Sequence, residues 1–220
     1  MEQLSWTDDM MLRAETPETP MQIQMLLIYD QSTAPAGRVT FKRILSEIDA
    51  RLHLAPTFRR RLTELPGGLH MPYWVDDPNF DLEYHVRHIA LPQPGDWRQL
   101  CIQIARIHGR QLDLRRPPWE MTVIEGLNSV PGVPTGSFAI SLKLHHCVVD
   151  GMESVELMAA MSAAARRPAN WNVLAVTSLD PDGWRRQLEA SSYAADHGGR
   201  VVALTLPYGM SIRLSFLTGS

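Results

Sequence analysis

Hydrophobic and polar positions change period several times along this 220-residue chain, and the changes predict a mixed α/β order. Residues 21–29 (MQIQMLLIY) alternate at first and then turn wholly apolar, as a strand buried within a sheet does. Residues 40–52 place Phe41, Ile44, Leu45, Ile48 and Leu52 at helical spacing. Residues 69–75 are strand-like, with Pro72 demoting the strand to an edge, and residues 80–86 alternate as a further strand. A loop over 92–96 leads into a second amphipathic helix over 97–112, carrying Leu100, Ile104, Ile107 and Leu112. A strand over 121–125 and a Pro/Gly-rich turn over 128–136 follow. The clean alternation of residues 137–144 (SFAISLKL) runs into His145, and residues 153–165 predict a helix.

Beyond Arg167 the periodicity thins to a short helix over 183–195, the pair Gly198-Gly199 and an apolar run over 201–206. The pattern therefore divides the chain into a domain of residues 1–167 and a linker or divergent, truncated tail of residues 168–220. The expected class is α/β (α+β), a two-layer sandwich of a mixed sheet with helices packed largely on one face.

Composition narrows the picture. At 24.8 kDa and 45% hydrophobic, the chain can bury a real core. A net charge of -3 gives no reason to expect nucleic acid as a partner. The short basic clusters Arg59-Arg60-Arg61, Arg115-Arg116, Arg166-Arg167 and Arg185-Arg186 are solvated faces or, failing that, phosphate or anionic-lipid contacts. Two cysteines make no disulfide framework, which fits a reducing compartment. The acidic start is unlike a signal peptide, and no apolar run reaches the roughly 18 residues that span a bilayer. A soluble or peripheral protein is expected.

The chemistry concentrates in residues 142–158, LKLHHCVVDGMESVELM. Two adjacent imidazoles end an apolar strand, where burial without a partner is costly. Neighbouring strand side chains point to opposite faces, so His145 and His146 cannot share one space. That counts against a metal site, which a strand would build from His-x-His. Asp150 is placed to cap the following helix, with Glu153 completing a capping-box-like pair, and Gly151 eases the turn. On the residues alone the stretch is either a capped strand-to-helix turn or the seat of a catalytic base. Cys147 reads as a small buried filler, and Trp74 and Trp119 as core or tunnel-wall packing. His85, His88 and His108 have no spacing for shared ligation, and eleven methionines suit a pliable apolar interior, whether a lipid tunnel or an ordinary core.

His145-His146-Cys147-Val148-Val149-Asp150-Gly151 matches the HHxxxDG motif of acyltransferases with the chloramphenicol acetyltransferase-like fold, a motif shared by non-ribosomal peptide condensation domains. Further segments narrow the resemblance. Leu4-Ser5 through Asp8, then Leu12-Arg13-Ala14-Glu15-Thr16-Pro17, resemble the opening of bacterial wax ester synthase/diacylglycerol acyltransferases. Pro20-Met21 leading into Leu26-Leu27-Ile28-Tyr29-Asp30 resembles their first strand. The segments Pro56-Thr57-Phe58-Arg59-Arg60-Arg61-Leu62, Trp74-Val75-Asp76-Asp77-Pro78-Asn79-Phe80-Asp81 and Arg116-Pro117-Pro118-Trp119-Glu120 are similar too. In the last, Pro118 stands where the family usually has leucine. The resemblance covers about residues 4–161, and the family's second half, with the other wall of its tunnel, has no counterpart here.

The resemblance implies an acyl-CoA-dependent O-acyltransferase that moves a fatty acyl group to diacylglycerol or a long-chain alcohol. His146 would be the general base, His145 and Asp150 structural supports, and Gly151 would keep the channel mouth open. An oxyanion donor is not identifiable. No metal and no cofactor are expected, with acyl-CoA a co-substrate. The expected setting is cytoplasmic, peripheral at the inner membrane or lipid inclusions, with a complementary C-terminal domain or self-association completing the tunnel. A non-catalytic lipid- or acyl-binding remnant and a condensation-type acyltransferase using carrier-bound thioesters are the alternatives.

Overall fold

The computed structural model describes residues 2–32, 34, 37–64, 70–148, 159–160, 162–163, 166–172 and 183–204. Contacts divide the chain into two units, Met1–Val149 and Asp150–Ser220. In the first, the elements in order are β1 (Glu2–Gln3), α1 (Trp6–Ala14), β2 (Gln22–Tyr29), α2 (Phe41–Arg51), β3 (Arg60–Thr63), β4 (Tyr73–Asp76), the single turn α3 (Leu82–His85), β5 (Val86–Ala90), α4 (Trp97–His108), β6 (Trp119–Leu127) and β7 (Ser137–His145). A 3-10 turn, His146–Val148, follows β7 directly.

The main sheet has the order β2-β7-β6-β5. β7 is antiparallel to both neighbours, while β5 runs parallel to β6, so the sheet is mixed as expected. Register sets Gln22 opposite His145 and Trp119 opposite Leu144. Gly126, at a positive φ of 86°, sits in a bulge between Ile124 and Leu127. A Cβ on Gly95 would meet Gly126 O at 1.9 Å, so the loop before α4 approaches that bulge as only glycine allows. Asp96 and Gln99 then start α4 with a reciprocal capping box.

β7 is buried along almost its whole length. Leu142 and Leu144 join Val86 and Trp119 in one cluster, against which Phe41, Leu45 and Ile48 of α2 pack. Ala139 and Ile124 join Leu100 and Ile107 of α4 in another. Alternate residues of β7 thus feed cores on opposite faces, and helices take both faces where one was expected. The physical reason lies on the Ser141/Lys143 side, which reads as polar yet is covered by α4. Lys143 is 0% exposed. Its Nζ donates to Ile107 O at 3.1 Å and Arg110 O at 2.7 Å and lies 3.3 Å from Glu120 Oε2. Gln22 Nε2 donates to Arg110 O at 3.1 Å and also to His108 O. The carbonyls left open at the end of α4 are therefore capped from the sheet.

Other elements depart from the periodicity. Residues 80–86 are not a strand throughout: Asp81 accepts the Glu83 N–H at 3.0 Å and starts α3, so the extended run begins only at Val86. The strand expected over 69–75 is β4, which lies in the middle of a second, antiparallel sheet of order β1-β4-β3 rather than at an edge. Pro72 stands just before it and uses its carbonyl, accepting the Leu4 N–H at 2.8 Å. The Ser5-x-x-Asp8 cap of α1 is the local signal for a helix that periodicity alone does not announce.

In the second unit, β8 (Ala169–Asn172) and β9 (Val201–Leu204) pair in parallel, and α5 (Gly183–Asp196) lies between them in sequence. Ala159, Ala194 and Val201 form its small core. The helix and apolar run expected near 183–195 and 201–206 correspond to α5 and β9. Of the helix expected over 153–165, residues 159–160 and 162–163 are helical and the remainder lie outside the described residues.

Lys143→Met takes the donor from the buried Ile107 and Arg110 carbonyls and one partner from Glu120, which keeps Arg87 at 3.3 Å. Lys143→Met should therefore lower stability by roughly 3–5 kcal/mol, with Glu120→Gln in the same chain restoring part of the loss. Urea denaturation of the single and double variants checks this, and additive losses would contradict the pairing.

Candidate active site

The histidine pair sits where β7 stops. His145 donates its backbone N–H to Pro118 O at 3.0 Å, the last rung to the β6 side. His146 turns away from the ladder and donates its N–H to Met21 O at 2.9 Å, just ahead of β2. Strand alternation therefore ends between the two histidines, and their separation comes from a change of backbone as well as from the pleat. Leu4 just ahead of α1 and Leu12 within it pack in the same cluster as Cys147 and Val148 of the turn.

His145 is 0% exposed and tied at one ring nitrogen, Nδ1. Nδ1 accepts the Cys147 N–H at 3.1 Å and lies 2.9 Å from Cys147 Sγ. With Nδ1 an acceptor, the neutral ring carries its proton on Nε2. Nε2 faces Glu15 Oε2 at 3.5 Å, within electrostatic range but longer than a well-formed hydrogen bond, and has no other polar partner. Burial, with a smaller repulsion from His146, pushes the His145 imidazole down to about 4. Near neutral pH this contact is thus between a carboxyl group and a neutral ring. Burial acts in the opposite direction on Glu15, raising its carboxyl above the ordinary value against the lowering effect of the Met21 N–H, which donates to its Oε1 at 3.3 Å.

His146 is only half-buried. Cys147 is 4% exposed, and burial lifts its thiol to about 12, so it holds essentially no thiolate near neutral pH. Asp150 and Gly151 lie outside the described residues.

The Pro117-Pro118-Trp119 segment braces the pair from β6. Trp119 is 2% exposed, donates Nε1–H to Phe58 O at 2.8 Å, and stacks on His85 at 4.6 Å between ring centroids. His85 Nδ1 in turn lies 2.8 Å from Trp119 O. His85 is therefore a packing residue, and Trp74 also packs against this core. Elsewhere a charged cleft of about 440 Å³ gathers Arg61 with Arg115 and Arg116 beside Asp77 and Asp113. Asp113 holds Arg115 through Nε and Nη2, at 2.9 and 3.0 Å. Among the described residues no three His, Cys, Asp or Glu side chains are grouped to hold a metal ion.

Glu15 is the residue of this site that periodicity and spacing did not single out. It follows the end of α1, far from the histidines in sequence, and no local spacing links them.

Residues 4–206 match the family model described as the wax ester synthase/diacylglycerol acyltransferase catalytic domain. A putative diacylglycerol O-acyltransferase of Mycobacterium tuberculosis is 40% identical over 158 residues, covering 72% of this chain and 30% of that protein. A probable diacylglycerol O-acyltransferase of the same species is 34% identical over 165 residues, covering 75% of this chain and 58% of that protein. The chain thus spans between 30% and 58% of the length of these two relatives. Among solved structures, the wax ester synthase/diacylglycerol acyltransferase of Marinobacter aquaeolei VT8 is 30% identical with a TM-score of 0.56, covering 72% of this chain and 38% of that one. The first condensation domain of the calcium-dependent antibiotic synthetase has a TM-score of 0.54 at 15% identity, a likeness of fold, covering 75% of this chain and 38% of that one. With its histidine pair closing a central strand of that shared fold, the chain belongs to the wax ester synthase/diacylglycerol acyltransferase family.

Proposed function

We propose that this chain carries the general base of an acyl-CoA-dependent O-acyltransferase that transfers a fatty acyl group to diacylglycerol or a long-chain alcohol. The observation that supports it best is the unequal state of the two histidines: His145 is sealed, tied at Nδ1 and held neutral, while His146 leaves the strand half-buried. A base needs access to its substrate, and an imidazole side chain suits proton transfer near neutral pH. His146 takes the proton of the acceptor hydroxyl as its oxygen attacks the thioester carbonyl carbon. The tetrahedral intermediate collapses with cleavage of the carbon–sulfur bond, and the imidazolium returns the proton to the CoA thiolate. No acyl-enzyme forms, which accords with the inert Cys147 thiol.

In this reading His145 shapes the turn, Asp150 supports the loop that follows, and Gly151 leaves the channel mouth open. Among the described residues no helix is long and apolar enough to cross a membrane. Substrates of this kind lie in membranes or inclusions, so the reading places the protein peripherally, on the cytoplasmic side of the inner membrane or on lipid inclusions. In this reading a complementary C-terminal domain or a second copy completes the tunnel, because donor and acceptor must be held together for the attack to be effectively intramolecular. If no such completion occurs, the chain is an acyl- or lipid-binding remnant. Acyl-CoA binding without transfer would identify that state.

His146→Ala should lower turnover by roughly 10²- to 10⁴-fold with a smaller change in acyl-CoA binding. His145→Ala should act mainly through stability. Single-turnover transfer and melting temperatures of both variants separate the roles, and a silent His146→Ala would refute the base assignment.

The neutral state of His145 has its own pH signature. A folded-state value of about 4 against the ordinary 6.5 contributes stability above about pH 6.5, lost as pH falls through about 4. The difference is on the order of 3 kcal/mol. Denaturant titrations between about pH 7 and 4 should show wild type losing more stability than a folded His145→Asn variant.

A further inference from the structure

Glu15 reaches the histidine pair by two routes, one oxygen acting through Met21 and the other facing the His145 ring. Oε1 accepts the Met21 N–H at 3.3 Å, and the Met21 carbonyl accepts the His146 N–H at 2.9 Å. Oε2 faces the His145 Nε2 at 3.5 Å. The Glu15 side chain is 8% exposed, so these contacts are shielded from water, where such interactions count for more. Residue 21 is thereby gripped at its N–H by Glu15 and at its carbonyl by His146, and the same carboxyl group fronts the ring of the neighbouring histidine.

We propose that Glu15 is a positioning residue for the histidine pair, setting the His145 ring through Oε2 and the His146 backbone through Oε1 and Met21. It touches no substrate. Its effect on transfer rests on the reading of His146 as the base, and its structural effect does not. The geometry favours one ring tautomer. The Cys147 N–H occupies Nδ1, so the His145 proton lies on Nε2, which stands 3.5 Å from the carboxyl oxygen, longer than a well-formed hydrogen bond. Glutamine at position 15 could accept from only one of the two donors, because its amide nitrogen would meet the other donor head-on. Alanine would serve neither.

Spectroscopy of the chain tests the coupling without activity. Long-range ¹H–¹⁵N correlation should show His145 neutral and protonated on Nε2, and hydrogen exchange should show the His146 amide protected. Glu15→Ala should speed exchange at the His146 amide by about 10-fold or more and move the His145 ring signals. Glu15→Gln should produce one of these changes. If Glu15→Ala fails to fold, Glu15→Gln carries the comparison. Glu18→Gln, on an exposed residue, should produce neither. Unchanged ring signals and unchanged exchange in a folded Glu15 variant would overturn the proposal.

Kinetics with palmitoyl-CoA and hexadecanol give the second arm. Glu15→Gln should lower kcat by roughly 10- to 100-fold with KM nearly unchanged, the cost of a misplaced group. It should add nothing in a His146→Ala background. An independent further loss there would overturn the positioning role. Full kcat in His146→Ala alone would overturn the base reading, leaving the spectra to decide the coupling.

Discussion

Lys143 brings an ammonium group to 0% exposure on the strand that ends in the histidine pair, and it has three protons to place. Two go to the Ile107 and Arg110 carbonyls and the third faces Glu120. Left alone, a buried charge costs several kcal/mol, so the fold must bring all three acceptors to it. That requirement fixes where the chain leaves α4 and how that exit seats on the sheet. Gln22, opposite His145, holds the same exit from β2. The polar face of β7 is thus closed two residues before the histidines, and the strand reaches them already fixed.

The histidines then meet different fates because the backbone changes at the same point. His145 remains in the ladder and is enclosed by Cys147, Glu15 and the Pro118 carbonyl. His146 belongs to the turn, hangs from Met21 and stays partly open. Pro118 contributes through its carbonyl, so a proline where the family usually has leucine keeps the contact that reaches His145. Trp119 anchors that segment by packing on His85 and bonding to Phe58.

Much of this could be read from residue order. The alternation of residues 137–144 located β7, the apolar run at 21–29 located its neighbour, and the amphipathic spacing located α2 and α4. Hidden were features that depend on distant partners. Lysine within an alternating strand reads as a solvent-facing position, and only the α4 carbonyls explain its burial. Residues 80–86 alternate as a strand would, but Asp81 captures the Glu83 N–H and the Phe80–His85–Trp119 stack favours a turn. Glu15 stands within the segment 12–17 that carries part of the resemblance, but no spacing assigns it a role, because its meaning arises only when the end of α1 meets the end of β7. The helix α1 was not predicted, although its Ser5-x-x-Asp8 spacing is a local capping signal.

The two cysteines of the chain differ in a way that has a practical use. Cys147 is enclosed beside His145 with its thiol lifted to about 12, while Cys101 is exposed on α4. Alkylating reagents attack thiolates, so a maleimide dye will label Cys101 and leave the histidine turn chemically untouched. Because the far end of that helix is pinned by Lys143 and Gln22, a fluorophore at Cys101 becomes a native optical gauge of whether the sheet beneath the histidines is still closed.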